Sequence, residues 1–316
     1  MADPILVVGS VALDDVRTPF GAVREAFGGS ATYFGLAARC FAPVRLVAVV
    51  GDDFPAEHRA LLQRSGIDIG GLEVAPGRCF RWGGEYGYDL NTRTTLFTEL
   101  NVFEHFHPKV PAAWRDTPVV FLGNIHPALQ AEVLDQMRQP RLVALDTMNL
   151  WIETARPALL AVLRRIHLLI VNDSEARELA GTPNLIQAGQ ALRALGPQIV
   201  VIKKGEHGAM AFSEDGIFAC AALPLEEVKD PTGAGDSFAG GLVGGLASSP
   251  KLTPAALRRG IALGTVMASF TVQDFGTERL LRITSEDVRT RSESLRQLTQ
   301  FEAFDPALSK GGSLAL

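Results

Sequence analysis

Runs of Val, Ile and Leu recur along the chain at Ile5–Ser10, Val44–Gly51, Val119–Asn124, Leu142–Thr147, Leu168–Asn172 and Ile199–Lys203. Several show no polar alternation, the pattern of strands buried on both faces. Between them lie segments with apolar residues at helical spacing: Ala31–Phe41, Ala56–Ser65, Ala128–Arg138, Pro157–Ile166, Glu175–Ala180 and Ile186–Leu195. Alternation of this kind predicts an α/β fold with a mainly parallel sheet and helices on both sides of it. Two further helices are predicted at Pro254–Phe270 and Glu286–Leu298, and Lys310-Gly311-Gly312-Ser313 reads as a frayed tail.

Two segments break the rhythm. Asp14–Ala26 is a polar, Gly-containing excursion between the first strand and its helix, and Arg78–Phe106 is rich in aromatics and Thr. The second alternates over Thr92–Phe103 and carries a turn signal at Asp89-Leu90-Asn91. Connections this long in a compact domain usually build a lid or a binding surface. Both are expected to supply strands to one small sheet over the carboxyl ends of the main sheet, where open α/β folds bind ligands. The expected organisation is a core of residues 1–12, 28–77 and 108–316, with a discontinuous β lid of residues 13–27 and 78–107.

At 316 residues the chain has room for one large domain with a small appendage, and 47% hydrophobic against 21% charged residues supports a sizeable core. A formal net charge of −5 argues against nucleic acid as the main partner, because phosphate-backbone binding needs a basic surface. Cys40, Cys79 and Cys220 are scattered, with no Cys-x-x-Cys pair, which suits reduced thiols in a reducing compartment. The chain enters a strand-like run at once, and no apolar stretch approaches membrane-spanning length. The expectation is a cytoplasmic protein with neither nucleic acid nor membrane as partner.

The most informative stretch is Asp230-Pro231-Thr232-Gly233-Ala234-Gly235-Asp236-Ser237-Phe238. A Gly-Ala-Gly turn with almost no side-chain bulk leads into an apolar, small-residue run, Phe238–Ala247, read as a buried helix. The first turn of a helix carries unpaired N–H groups and partial positive charge, so an anion can approach there closely. Asp236 at that point would repel a phosphate, unless its task is to take a proton from whatever attacks the phosphate. A lone Gly-x-Gly-Asp would more often be a turn with a capping Asp. The nine residues together resemble the second signature of the ribokinase family of sugar and nucleoside kinases, the PfkB family.

That resemblance extends along nearly the whole chain. Gly28-Gly29-Ser30-Ala31-Thr32-Tyr33, running on to Gly51-Asp52-Asp53, is similar to the family's first signature, and a Gly pair at that boundary suits a hinge or a close approach to ligand. Asp14 follows Gly9-Ser10-Val11-Ala12-Leu13, and in the family this Asp holds substrate hydroxyls; Asp15 beside it leaves the register open. Asn172-Asp173-Ser174-Glu175 matches an Asn-x-x-Glu whose Glu orients water on nucleotide-bound Mg²⁺, although Asp173 or Ser174 is also a candidate helix cap. Lys203-Lys204-Gly205-Glu206-His207-Gly208 is similar to a nucleotide-contacting Lys-x-Gly-x-x-Gly loop. Asp146-Thr147-Met148-Asn149 resembles, with one residue more between its ends, the Asp-x-Asn of members acting on sugar acids, and Asn149 and Asn124 are expected to face the substrate crevice.

The resemblance implies a ribokinase-like three-layer core with a β-sheet lid, and an ATP-dependent kinase acting on a hydroxymethyl group. It implies Asp236 as base, the turn of Gly233, Ala234 and Gly235 as anion hole, and Asp14, Gly28, Gly29, Tyr33, Asn124 and Asn149 toward the acceptor. The nucleotide side falls to Asn172, Glu175, Lys203, Gly205, Gly208 and Thr232. Mg²⁺ on ATP is implied, with Glu175 acting through water, and a K⁺ site beside the anion hole is left open at Asp230 and Thr232. Partners are a small-molecule sugar or nucleoside, with homodimerisation through the lid left open. Two departures stand on the substrate side: Tyr33 occupies the position of an Asn in ribokinase, and Ser10 that of the usual Asn.

Rival functions fare worse. A dehydrogenase needs Gly-x-Gly-x-x-Gly after the first strand, where this chain has Gly9-Ser10-Val11-Ala12, and a P-loop NTPase needs a Gly-Lys-[Ser/Thr] that does not occur. A non-catalytic sugar or nucleotide sensor on the same fold remains the alternative. For the acceptor, Phe80, Trp82, Tyr86 and Tyr88 share one parity and would share one face of an unbroken strand. That face either forms lid core or roofs a nucleoside base.

Overall fold

The computed structural model describes residues 2–301. The tail at Lys310-Gly311-Gly312-Ser313 lies outside the described residues.

The chain opens with β1 (Ile5–Val8), then a hairpin of β2 (Ala12–Thr18) and β3 (Gly21–Gly28), followed by α1 (Ser30–Ala38), β4 (Val44–Gly51), α2 (Ala56–Arg64) and β5 (Ile67–Ala75). A second hairpin, β6 (Phe80–Tyr86) and β7 (Arg93–Glu99), precedes β8 (Val119–Leu122), α3 (Pro127–Gln136), β9 (Leu142–Asp146), α4 (Asn149–Thr154) and α5 (Arg156–Leu163). Next come β10 (Leu168–Asn172), α6 (Asp173–Ala180), α7 (Leu185–Ala194), β11 (Ile199–Lys203), β12 (Ala209–Ser213) and β13 (Gly216–Cys220). Four helices close the chain: α8 (Ala234–Ala247), α9 (Pro254–Thr271), α10 (Glu278–Arg282) and α11 (Ser285–Thr299).

Nine strands form the main sheet in the order β13-β12-β11-β10-β9-β8-β1-β4-β5. From β11 to β5 every pairing is parallel, while β12 and β13 add an antiparallel edge. Ile5 and Val7 enter the core on one face of the sheet with Phe34, Leu242 and Phe270. Leu6 and Val8 enter the other with Val133, Leu159 and Leu192. The two-sided burial explains why these strands lack polar alternation. The small-residue run of α8 has a packing cause as well. A Cβ at Gly240 would stand 2.5 Å from the carbonyl oxygen of Phe34, so α8 can lie directly against α1.

β1 sits between β4 and β8, and the chain direction of strand addition reverses there. Such a switch point opens a crevice at the carboxyl ends of the strands. The turn after β1 is fastened to α1 by reciprocal bonds, Ser10 N–H to Ser30 Oγ at 3.1 Å and Ser30 N–H to Ser10 Oγ at 3.0 Å. Ser at position 10 is thus the partner that Ser30 requires.

The two excursions form one four-stranded sheet, β3-β2-β6-β7, in which the hairpins join through a parallel β2–β6 pairing. Asp14 therefore lies on a strand, within the excursion expected to supply strands to the small sheet. Asp15 is taken up in a local irregularity of the β2–β3 pairing, accepting the Glu25 N–H at 2.8 Å. Of the two carboxylates Asp14 is the buried one, at 4% exposure.

Five elements escaped the sequence reading: β5, β12, β13, α4 and α10. The helix after β10 begins with Asn172 as its cap, in place of Asp173 or Ser174. Asn172 Oδ1 accepts the Glu175 N–H at 2.8 Å while the Glu175 carboxylate accepts the Asn172 N–H at 2.7 Å, a capping box. Among the described residues no helix is long and apolar enough to cross a membrane.

Candidate active site

The carboxyl ends of β9, β10 and β11 bring Asp146, Glu175 and Lys203 to the N-terminus of α8, where they and Asp14 of β2 act on one another's charge with Asp236. Gly233 caps α8 at φ 75°, a left-handed backbone that glycine adopts without steric cost, and a Cβ there would overlap the Tyr33 ring. Ala234 and Gly235 follow as the first helical residues, with Asp236 in the first turn. The Ala234 N–H closes a turn onto the Pro231 carbonyl at 3.1 Å, while those of Gly233 and Gly235 have no backbone partner among the described residues, so the turn offers donors and partial positive charge to an anion.

Asp230 shapes the approach to that turn. It is fully buried, and its two carboxylate oxygens accept the N–H of Thr232 at 2.8 Å and of Gly276 at 3.2 Å. The Thr232 hydroxyl donates in turn to Tyr86 Oη at 3.2 Å, so the end of β6 is tied to the anion turn. From the opposite side Lys203, at the end of β11, places its ammonium where a Cβ on Gly235 would stand 2.9 Å away. That ammonium forms an ion pair with the Asp146 carboxylate, at the end of β9, at 3.1 Å.

Charge is dense here. Asp236 keeps part of its surface open to the cleft, but protein on its other sides desolvates it and raises its pKa to about 7. The Asp146 carboxylate pushes it further up, while Lys203, its own backbone N–H and Arg93 of β7 act against the rise. Glu175 is buried and raised for the same leading reason, opposed by Lys203. Lys203 is raised despite burial, because Asp146, Glu175 and Asp236 surround it, and it stands as an ammonium.

Asp14 forms the other pole. Its buried carboxyl is pushed up to about 8, first by burial and then by the charges of Asp230, Asp236 and Asp15, against the lowering effect of the Gly29 N–H. A Cβ at Gly28 would overlap this carboxylate, and Gly29 has φ 95° with its Cα face against the Ser10 carbonyl. Both glycines thus make room for Asp14 and hold it. Tyr33 of α1 is 1% exposed, and its hydroxyl has no hydrogen-bond partner among the described residues. Burial raises that hydroxyl well above the usual phenol range, assisted by Asp14, Asp230, Tyr86 and Asp236, the groups that surround it.

The other residues expected in the site divide. Gly205 has φ 55°, and a Cβ there would stand 3.1 Å from Oδ1 of Asn91, at the β6–β7 turn. A Cβ at Gly208 would overlap the Cys220 carbonyl, so that glycine serves the packing of β12 and β13. Asn124 accepts the Trp151 indole N–H at 2.9 Å and contacts Met148 Sδ, while Asn149 donates to Glu178. Neither amide is hydrogen-bonded to the Asp14–Asp236 group.

Of the aromatics expected on one face, Tyr88 departs. β6 ends at Tyr86, and Tyr88 lies in the following turn at 92% exposure. Phe80 packs against Phe103 with ring centroids 5.2 Å apart, and Trp82 lies under the Arg93 guanidinium at 5.3 Å. The sequence reading did not single out Arg93, nor Asp146 as a site residue. An Arg inside an alternating strand looks like any solvated charge, and Asp146 announces itself only once Lys203 is seen beside it.

The chain matches the model of the pfkB family carbohydrate kinases over residues 1–283, and it belongs to that family. It is 31% identical to a cytidine kinase of Thermococcus kodakarensis over 249 residues, 76% of this chain and 87% of the relative. It is 37% identical to a 2-dehydro-3-deoxygluconokinase of Thermoproteus tenax over 277 residues, 76% of this chain and 78% of the relative. Its fold is similar to that of the nucleoside kinase of Methanocaldococcus jannaschii, an archaeal member of the ribokinase family, with TM-score 0.75, 20% identity, and 92% and 98% of the two chains covered. The fold is ribokinase-like and the protein is a phosphotransferase with an alcohol group as acceptor.

Proposed function

We propose that this kinase transfers the γ-phosphoryl group of ATP to the hydroxymethyl group of a nucleoside, with Asp236 as general base. The observation that carries the reading is a half-buried carboxylate, raised to about 7, in the first turn of a helix whose N-cap is a left-handed glycine. Phosphoryl transfer is chiefly positioning and charge stabilisation. Mg²⁺-bound ATP supplies the phosphoryl group. Asp236 receives the proton of the attacking hydroxyl, and the N–H groups of Gly233, Ala234 and Gly235 stabilise charge developing on the phosphoryl oxygens. Lys203 adds a fixed positive charge beside that turn. Asp14, with acceptor oxygens free of other side chains, grips hydroxyls of the sugar ring.

The residues present fit the nucleotide and its metal. Among the described residues there is no cluster of three or more His, Cys, Asp or Glu of the kind that cages a metal by itself. A single buried carboxylate, Glu175, suits Mg²⁺, which keeps several waters and binds mainly through phosphates. A K⁺ site would draw on Asp230 and the backbone at Thr232. Since Asp230 already ties the Thr232 N–H of this loop to that of Gly276 between α9 and α10, a cation there would act by ordering the anion turn. Exchange of Na⁺ for K⁺ should raise kcat, and identical rates in the two salts would remove K⁺ from the scheme.

The acidity of the acceptor pole favours a nucleoside over a sugar acid. The charged groups that bear most on Asp14 are Asp230, Asp236 and Asp15, none of them a cation, so an acceptor carboxylate would find no positive partner there. Trp82, paired in register with Asp14 on the neighbouring strand, gives a nucleobase an aromatic surface. We read the small sheet as a lid over this pole. The free thiols of Cys40, Cys79 and Cys220 are in keeping with a cytoplasmic setting.

The direct test is Asp236→Asn, assayed for ADP release against a panel of nucleosides, sugars and sugar acids. Turnover should fall by about 10²–10⁴-fold with ATP binding retained. Near-normal turnover would defeat the base assignment, and a clear preference for a free sugar or a sugar acid would defeat the nucleoside assignment alone.

A further inference from the structure

Lys203 stands among three carboxylates, and only one of them holds it. Asp146 Oδ2 is 3.1 Å from its Nζ, with side-chain exposures of 7% and 16% for the two partners. Asp146 is itself fixed. Its Oδ1 accepts the Thr147 N–H at 2.8 Å, and its carbonyl oxygen accepts from Gln130 Nε2 at 3.1 Å. Glu175 is engaged by the Asn172 N–H in the capping box. Asp236 is the third carboxylate, and the one that phosphoryl transfer requires to be free.

We infer that Asp146 is a positioning residue for phosphoryl transfer: it holds the Lys203 ammonium against the Gly235 turn and away from Asp236. An ammonium is a compact, strongly hydrated point charge on a flexible stem, and when desolvated it seeks the nearest carboxylate. With Asp146 in place, that carboxylate lies at the end of β9, so the positive charge rests beside the anion turn. Without it, Lys203 has Glu175 and Asp236 left to choose from. A Lys203–Asp236 pair would occupy the lone pair needed for the hydroxyl proton and withdraw the charge meant for the phosphoryl oxygens.

This inference rests on the reading of Asp236 as base, and it extends to how that base is tuned. The groups bearing on Asp236 are Asp146 from β9, Lys203 from β11 and Arg93 from β7, with Asp14 from β2 and Tyr33 from α1 across the cleft. Glu175 from α6 bears on Lys203. Asp146 raises Asp236 and Lys203 lowers it. Loss of the Asp146 charge therefore lowers the pKa of Asp236 twice over, directly and through the released Lys203.

The test is a cycle of Asp146→Asn, Lys203→Met and the double variant, with kcat and kcat/KM followed against pH using ATP, Mg²⁺ and the nucleoside that turns over fastest. Asp146→Asn should lower kcat by about 10²-fold, as a misplaced group at a reacting centre does. It should also move the acid limb of kcat/KM to lower pH by roughly one unit. A residue with only a structural role would lower activity without moving that limb. The double variant should be no slower than Lys203→Met alone, because Asp146 acts through Lys203. It also removes both partners of the buried ion pair together, so it remains informative if Asp146→Asn folds poorly. An unmoved acid limb in a folded Asp146→Asn, or losses that multiply in the double variant, would overturn the inference. Failure of the base assignment itself would show separately, as turnover retained in Asp236→Asn.

Discussion

At the scale of single residues, the acceptor pole depends on an absent side chain. Gly28 does not adopt a left-handed backbone, so alanine is allowed there in conformational terms, and the nearest conflict is with the Asp14 side chain. Gly28→Ala should push Asp14 off its rotamer, at a cost of about 1 kcal/mol, and raise the acceptor KM by about five- to tenfold. The KM for ATP should stay near its original value, since the proposed nucleotide side lies at β10 and β11. Measuring both constants checks this, and an unchanged acceptor KM would separate Asp14 from acceptor binding. The same scale shows what a sequence can declare. Asp230 to Asp236 were legible because a contiguous stretch carries the turn, the donors and the carboxylate together. Asn124 and Asn149 were read toward the crevice, but their amides are taken by Trp151, Met148 and Glu178, partners set by folding and invisible in local sequence.

At the scale of elements, the strands buried on both faces and the long helices were legible because continuous apolar runs and helical spacing leave few alternatives. β5 was not. Its residues alternate between buried and exposed and it contains the Gly70-Gly71 pair, as befits an edge strand with a solvated face. β12 and β13 are five residues each, joined by a short turn, too brief for a periodic signal. The β6–β7 hairpin was anticipated as a pair of strands, but not its reach. It meets two separate loops, Tyr86 at Thr232 before α8 and Asn91 at Gly205 after β11. Tyr86→Phe removes the first of these contacts while keeping the ring. A hydrogen bond of this kind contributes about 1 kcal/mol, so kcat/KM should fall by about fivefold, with faster proteolytic cleavage near Tyr88 and a melting temperature lowered by no more than about 2–4 °C. If the hairpin is no more susceptible to protease in the variant, the Thr232–Tyr86 bond is not what holds the proposed lid down.

At the scale of the whole molecule, burying acidic groups around one cleft couples function to stability. In the folded chain Asp14 is raised from 3.8 to about 8 and Asp236 from 3.8 to about 7, chiefly by burial. In the unfolded chain both return to ordinary values. A group whose folded pKa is raised contributes stability that is fully present below its unfolded pKa and is lost as pH rises through the folded pKa. These two carboxyls therefore favour the fold most near pH 4 and cease to do so between pH 7 and 8. Exposed carboxylates held low by hydrogen bonds and arginines, among them Asp89, Glu286 and Glu293, act in the opposite sense and lose their contribution as pH falls below about 4. The ligand-free protein should accordingly melt highest in mildly acid solution, with the melting temperature declining from about pH 5 to pH 8. Asp14→Asn keeps the shape and cannot ionise, so it should flatten that decline and gain most over the parent at pH 8. Melting curves of both proteins across this range make the comparison. A parent that grows more stable toward pH 8, or an Asp14→Asn curve parallel to it, would mean that Asp14 is ionised in the fold and that its neighbours stabilise the charge.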